Sequence, residues 1–581
     1  MDQALLTLLI AVFAVVLIAL INGLARRLGV AGPLLLVAVG GGIALLPFVD
    51  VPPIAPEWIL IGVLPPLLYS AAVSLPAIEF RRDFAPIAGL SVVLVVVSAL
   101  VLGVFFWLVI PSVGLPLGIA LGAILSPTDA VATSIVKRLG ISPRVVTMLE
   151  GESLLNDATA LVLLRTAIAA IAAGFSLWGA VGAFAWGVLI AIAVGAVVGW
   201  LLLRARHWVR NSAAGTAISF AVPFLAYLPT EQLGGSGLVA AVVAGIVTGQ
   251  GAPRRLTPEE RLSDTLNWRT VELVLEGAVF LIMGLELRDI VTQNLIDSSG
   301  LWHGTWLALS ALGIVLAVRA GYVSLVVWGQ GRRARRMNRA RLEHLGDRLD
   351  AVADGRISLP TRAHRGPRRV ADPQRWLDAM RGRVARGLAD IDYYQATPLG
   401  ARHGSIIVWA GMRGVVTLAA AQTLPREGIE HRALLVFVAF LVALVSLMLQ
   451  GFTLPAVVRI LKIGGTGDES VDRTEKARLD GELRQAAASA LGSEGLARRD
   501  GTAFTEGLAD RLGEHLTDPP DDDQSNAHRD RLELRLIAIA AMRHRLHDLS
   551  HEGTFGTAML RRALAELDAD ELSLRLRLED E

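Results

Sequence analysis

The sequence predicts an all-α polytopic membrane protein of about thirteen transmembrane helices, with inverted repeats, two broken helices and a helical cytoplasmic domain at the C-terminal end. Three observations predict it. Of the 581 residues, 53% are hydrophobic and 19% charged, with a mean hydropathy of +0.52, whereas soluble domains carry about 25% charge. The apolar residues fall in blocks of about twenty that fill the chain as far as residue 460. Basic residues gather in alternate loops between those blocks. The 55 basic and 54 acidic side chains nearly cancel, so net charge by itself neither predicts nor excludes a nucleic-acid partner. The absence of cysteine rules out disulfides, thiol catalysis and cysteine-ligated metals.

Windows long enough to cross a bilayer lie at 4–24, 32–49, 58–79, 85–110, 116–137, 146–173, 176–203, 213–230, 235–251, 268–287, 301–329, 402–424 and 430–460. The first reads as a retained span, not a cleaved signal, because Asp2 precedes it, Arg26 and Arg27 follow it, and it lacks a clear small-residue cleavage site. With the N-terminus outside, the inner loops hold Arg26/Arg27, Arg81/Arg82, Lys137/Arg138, Arg204/Arg206/Arg210, Arg254/Arg255, Arg332/Arg333 and Lys462. The outer loops hold Asp50, Glu57, Glu231, Asp289, Asp297, Glu427 and Glu430. An odd number of spans with the C-terminus in the cytoplasm satisfies this alternation, and losing one span would break it.

Four regions follow: spans one to eleven at 1–330, an Arg-rich cytoplasmic loop at 331–401, spans twelve and thirteen at 402–462, and a cytoplasmic helical domain at 463–581. The loop has helical stretches such as Arg375 to Tyr393. It suits a surface near anionic headgroups and contains no nucleic-acid motif. The tail has an acidic, proline-containing hinge at Asp518 to Asp523, then helical periodicity in Leu532 to His547 and Leu560 to Leu576.

A charge at bilayer depth costs roughly 2.5–3.5 kcal/mol on insertion scales, so each one there marks a candidate site. The densest cluster is Glu150 to Ala158 in the sixth span. At 100° per residue, Glu152, Ser153, Asn156 and Asp157 fall within roughly 140°, with Glu152 over Asn156 and Ser153 over Asp157. Oxygen ligands for a hard monovalent cation therefore share one face. The fifth span is interrupted at Ser126-Pro127-Thr128-Asp129, where proline removes a donor beside a hydroxyl and a carboxylate. The twelfth span carries Gly411-Met412-Arg413-Gly414. Breaks seven spans apart are what an inverted repeat predicts, and Asp129 and Arg413 can neutralise the helix ends that would face each other there. Arg319, in the eleventh span, needs a partner, Glu152 first and Glu276 second. Arg165 snorkels or pairs locally.

The run Gly151-Glu152-Ser153-Leu154-Leu155-Asn156-Asp157, with Ser126-Pro127-Thr128-Asp129 and Gly411-Met412-Arg413-Gly414, resembles the NhaP-type branch of the sodium/proton exchangers over about residues 1 to 462. The resemblance implies a homodimer in a bacterial inner membrane, thirteen spans per subunit, an interface domain, and a core domain holding the crossed broken helices. It also implies that Asp157 binds the ion or proton, with Thr128, Asp129, Ser153 and Asn156 lining the site. Glu152 and Arg319 would be a structural pair, and Arg413 would balance the helix ends. Many relatives have an acid where this chain has Ser70, which keeps an oxygen but brings no charge.

The expected activity is exchange of a monovalent cation, Na+ first with K+ or Li+ as alternatives, for H+ by competition at Asp157, without a cofactor. Asn156 stands where a second aspartate would add charge, so one cation for one proton is expected. A cation channel or another proton-coupled transporter is the alternative. An intramembrane enzyme is not supported, since neither Gly-x-Ser-x-Gly nor His-Glu-x-x-His occurs.

Overall fold

In the computed structural model every regular element among the described residues is helical. The structure describes residues 3–47, 55–110, 112–129, 131–173, 177–209, 211–296, 301–336, 399–425, 429–461, 485–492, 532–542 and 557–579, and isolated positions between 344 and 394 and at 481. The chain divides into two units, Met1–Gly465 and Thr466–Glu581. The first contains α1 (Gln3–Leu28), α2 (Gly32–Ala44), α3 (Leu64–Ser74), α4 (Ala77–Arg82), α5 (Phe84–Ala88), α6 (Leu94–Val109), α7 (Leu115–Leu125), α8 (Val131–Arg138) and α9 (Pro143–Ala173). It continues with α10 (Leu177–Val209), α11 (Ser212–Gln232), α12 (Gly237–Arg255), α13 (Pro258–Leu285), α14 (Leu287–Ile296), α15 (Leu301–Arg336), α16 (Ala401–Trp409), α17 (Val415–Gln422) and α18 (Arg432–Leu461).

Among the described residues, seven helices are long and apolar enough to cross a bilayer: Leu8–Leu28, Phe84–Val109, Pro143–Ile171, Val181–Val209, Ser212–Gln232, Leu301–Arg332 and Arg432–Leu461. Three apolar helices, Gly32–Ala44, Trp58–Ser74 and Leu115–Leu125, are shorter. The protein is thus an all-α polytopic membrane protein with both long apolar helices and bent or broken ones.

The bends have local causes. Pro65 and Pro66 carry no N–H and cannot extend α3 backward as a regular α-helix, so a π turn, Trp58–Val63, precedes it, and the Leu64 N–H reaches the Ile59 carbonyl. Pro127 likewise stops α7 at Leu125, and the next described helix starts at Val131. Between α16 and α17 no proline intervenes. There the chain makes room for other side chains: a Cβ at Gly411 would lie 2.4 Å from Arg319 Nε, and one at Gly414 would lie 1.4 Å from Asp129 Oδ2. The two breaks touch directly, since the Asp129 N–H donates to the Met412 carbonyl at 2.7 Å.

Lipid tails supply no hydrophobic drive between helices, so close backbone approach has to hold them together. At the α2–α13 crossing a Cβ on Gly40 would meet the Leu281 carbonyl at 2.5 Å, and one on Gly284 the Val37 carbonyl at 2.4 Å. At the α6–α7 crossing Gly118 and Gly122 stand in the same relation to the Gly103 and Ala99 carbonyls, at 2.6 and 2.4 Å. Packing forms two neighbourhoods: α1, α2, α3 and α10 to α13 on one side, α6 to α9 with α15 to α18 on the other.

Of the Arg-rich segment, positions 331–336, 344, 347–348, 380, 383–384, 387–388, 391, 393–394 and 399–401 are described, and all but 399 and 400 are helical. Most of the stretch expected at Arg375 to Tyr393, and the hinge expected at Asp518 to Asp523, lie outside the described residues. Tyr393 donates to Asp83 at 3.0 Å and Tyr394 to the Arg82 carbonyl at 2.8 Å, while Arg144 pairs with Asp83 at 2.8 Å and stacks 4.7 Å from the Tyr394 ring. Burial, and then the Asp83 charge, push the Tyr393 hydroxyl above the ordinary tyrosine range, which keeps it a donor. In the second unit, helix 532–542 and α19 (Thr557–Glu579) bury Leu532, Ile539 and Leu574 together.

The α2–α13 crossing yields a stability prediction. Gly284→Val should destabilise the detergent-solubilised protein by about 1–3 kcal/mol through overpacking, read as a lowered melting temperature. Gly42→Val, where no neighbouring atom lies within 4 Å, should leave the melt unchanged.

Candidate functional site

The oxygen-bearing face of α9 divides into two stripes. Glu152 and Asn156 form one. Arg319 of α15 grips both Glu152 oxygens, with Nη2 to Oε2 at 2.8 Å and Nη1 on Oε1, and its Nε and Nη2 donate to the Ile407 carbonyl at 3.0 and 2.9 Å. Thr128 Oγ1 donates to Glu152 at 3.2 Å and accepts from Asn156 Nδ2 at 2.7 Å. The partner of Arg319 is thus Glu152, and Glu276 lies elsewhere. Ser153 and Asp157 form the second stripe, which faces a cavity of about 110 Å³.

The helix ends at the two breaks are matched by charge. Arg413 donates from Nε to the Leu125 carbonyl at 3.2 Å and from Nη1 to the Gly411 carbonyl at 2.5 Å, placing a cation at the C-terminal ends of α7 and α16. Its own N–H donates to Ser446 Oγ at 3.1 Å, which in turn donates to Gln450 at 2.6 Å. Asp129 Oδ1 accepts from the Val131 N–H at 3.2 Å, at the start of α8, and its Oδ2 lies over Gly414, where α17 starts.

The cavity beside Asp157 is also lined by Thr128, Asp129, Ser153 and Glu276. Its remaining walls are mostly apolar, among them Leu64, Leu68, Leu154 and Phe280, with Thr417 adding a hydroxyl-bearing side chain. Asn156 and Ser70 face other partners: Ser70 Oγ donates to Glu272 of α13 at 2.5 Å. Five acidic side chains are buried among the described residues, namely Asp83, Glu152, Asp157, Glu260 and Glu286. Asp83 binds Arg144, Glu152 binds Arg319, Glu260 caps Thr257 and Glu286 accepts from Gln422. Asp157, 7% exposed, has no hydrogen bond or ion pair to any described residue.

Two further cavities flank the site. One of about 430 Å³, at the end of the molecule that carries Arg26 and Arg138, is lined by Arg269, Glu272 and again Glu276. The other, of about 260 Å³, contains Arg165, which pairs with Glu231 at 2.7 Å. Leu64, Leu68, Leu154, Ala158, Tyr227 and Leu238 pack into an apolar cluster with members in the walls of both this cavity and that of Asp157. Sequence reasoning passed over Glu272 and considered Glu276 only as a second partner for Arg319, not as a neighbour of the site. The signal was available: two acids at i,i+4 spacing in the window 268–287.

The model of the family described as "Sodium/hydrogen exchanger, transmembrane" matches residues 12–339 and 384–460. An uncharacterised Na(+)/H(+) exchanger of Mycobacterium tuberculosis is 30% identical over 465 residues, 78% of this chain and 74% of that one. A sodium, potassium, lithium and rubidium/H(+) antiporter of Bacillus pumilus is 32% identical over 281 residues, 46% of this chain and 41% of its own. Among solved structures, the sodium proton antiporter MjNhaP1 of Methanocaldococcus jannaschii at pH 8 superposes with a TM-score of 0.56 at 16% identity, covering 79% of this chain and 99% of that one. That likeness is one of fold.

Removing one member of the Glu152–Arg319 pair strands the other in an apolar interior. Arg319→Met should therefore destabilise the protein by about 3–5 kcal/mol. Adding Glu152→Gln should recover most of that loss in a detergent melt. A double variant no more stable than Arg319→Met would show that the loss does not come from the stranded charge.

Proposed function

The chain belongs to the sodium/hydrogen exchanger family, whose members are transporters and not enzymes, and from that premise we propose that it exchanges one monovalent cation for one proton at Asp157. The observation that carries this reading is the unpartnered Asp157 carboxylate, facing a cavity whose other oxygen-bearing side chains include Thr128, Asp129, Ser153 and Glu276. A cation coordinated to Asp157 requires the ionised form, whereas a bound proton neutralises it, so each excludes the other. Coupling then needs only that the helices move when Asp157 is loaded. Asn156 adds no charge, which supports an electroneutral cycle. Sodium is the first candidate. The Bacillus relative, whose name covers sodium, potassium, lithium and rubidium, supports keeping potassium and lithium beside it.

Alternating access fits the cavities. The apolar cluster separates the Asp157 cavity from the one holding Arg165 and Glu231, and the cavity at the Arg26 and Arg138 end shares Glu276 with it. We assign that basic end to the cytoplasm of a bacterial inner membrane, with the N-terminus outside and the C-terminus inside. Thirteen crossings arranged as two inverted repeats place α7–α8 and α16–α17 as counterparts, with Glu152 and Arg319 as a structural pair and Arg413 and Asp129 balancing the helix ends. A homodimer accords with the family. An open cation channel is less favoured, because the apolar cluster interrupts the polar path.

Proteoliposomes holding a pH gradient test the assignment, with lithium, sodium and potassium added in turn. The wild type should dissipate the gradient and Asp157→Asn should not, its melting curve showing a folded protein. Cation-driven proton flux through Asp157→Asn would refute the assignment, and current without proton movement would favour a channel. A one-for-one cycle moves no net charge, so the rate should be indifferent to an imposed membrane potential. A rate that follows the potential would exclude electroneutral exchange.

A further inference from the structure

We propose that Glu276 is a second cation-binding carboxylate of this transporter, standing between the cavity at the basic end and the Asp157 site and passing the monovalent cation from one to the other. The proposal rests on the reading of Asp157 as the exchange site. Glu276 lines both cavities: the one of about 110 Å³ with Asp157, Asp129, Thr128 and Ser153, and the one of about 430 Å³ with Arg26, Arg138, Arg269 and Glu272. A cation travelling between them passes this side chain.

Glu276 differs from the acid one turn away on its own helix and from the buried acid of the structural pair. Glu272, one turn away on α13, accepts from Ser70, and Glu152 is held by Arg319. Glu276 is half-buried and makes no hydrogen bond or ion pair with any described residue. A carboxylate at this depth without a protein donor is stabilised by water, a proton or a cation. The residues that would do this are oxygen-bearing and uncharged or acidic on the Asp157 side, which suits a hard monovalent cation.

The placement also explains how binding could sense movement. α13 packs on α2, α1 and α11, and a Cβ on Gly277 would lie 2.3 Å from Ile18 of α1, so Glu276 is tied to that neighbourhood. Asp157 and Asp129 belong to the other, with α7, α8 and α9. A cation between Glu276 and Asp157 therefore spans the two helix groups, and its ligand set changes when one group slides against the other. Ser70, on α3, brings no charge to this boundary, so α13 supplies the acid.

The test compares wild type, Glu276→Gln, Glu276→Asp and Asp157→Asn as full-length protein in proteoliposomes, with sodium and then potassium as the probe. Glu276→Gln should raise the apparent KM for the cation about tenfold, the loss of one charge-assisted contact, while the maximal rate stays within about threefold. Glu276→Asp should recover most of the affinity, and the Gln variant should melt at or above the wild-type temperature, since no protein partner is lost. An unchanged KM, an Asp variant no better than Gln, or a Gln variant that no longer folds would each overturn the proposal. A wild type that exchanges no cation, or an active Asp157→Asn, sinks the exchange-site reading itself. Exchange that needs Asp157 but ignores Glu276 sinks this inference alone.

Discussion

An ion pair at membrane depth, Glu152 with Arg319, fixes the relative positions of four segments. Glu152 belongs to α9 and Arg319 to α15. The pair also takes a hydroxyl from Thr128 in the first break and holds the Ile407 carbonyl of α16. Desolvating two charges is offset only when geometry is good and the remaining donors and acceptors are met, so a buried pair contributes specificity more surely than stability. Here the requirement dictates sequence at a distance. Arg319 can lie against α16 only because residue 411 has no side chain, and the helix is interrupted at that point.

The crossing of the two breaks follows from this constraint. Each interrupted helix leaves carbonyls and N–H groups without partners, which lipid cannot satisfy. Arg413 answers carbonyls at the ends of α7 and α16, and Asp129 answers the start of α8 while lying over the start of α17. Once these demands are met, the acid left without a partner on α9 is Asp157. Folding and the proposed chemistry thus use adjacent stripes of one helix, 100° apart. One stripe is held by protein contacts, Glu152 through Arg319 and Thr128, and Asn156 through its amide donations to Thr128. The other is left for a ligand that comes and goes.

The features legible in the sequence were those set by covalent chemistry and by the cost of charge in lipid. Pro127 announces a break whatever surrounds it, and Arg319 must find an acid wherever it lies. Periodicity also placed Glu152 over Asn156 and Ser153 over Asp157. It did not show that these two pairs would part company, because that depends on how α9 is rotated against the first break. Ser70 shows the same limit: its position on α3 is local, but its hydroxyl turns to Glu272, which lies 202 residues on. Glu276 read as a spare partner for Arg319 because sequence gives no way to see that one side chain borders two cavities. Helix bounds were less legible: α2 and α3 are shorter than the windows drawn for them, and close glycine crossings and a π turn are properties of packing.

Asn156 shows why the charge count at the site is not free to vary. Its amide donates to Thr128 Oγ1 at 2.7 Å and to the Thr128 carbonyl at 3.3 Å, and Thr128 passes its own hydrogen to Glu152. An aspartate at 156 has no hydrogen to give. It would set a negative charge against a carbonyl oxygen and could bind Thr128 only by taking the hydroxyl proton that Glu152 now receives. That rearrangement would leave Glu152 more dependent on Arg319 and loosen the first break, next to Asp129. A second charge on α9 therefore demands a different hydrogen-bond direction through the break as well as a second ion. The uncharged residue at 156, the pair at 152 and 319, and the carboxylate left unpartnered on α9 at 157 go with one donor chain, and on the proposed cycle that chain is what sets the stoichiometry.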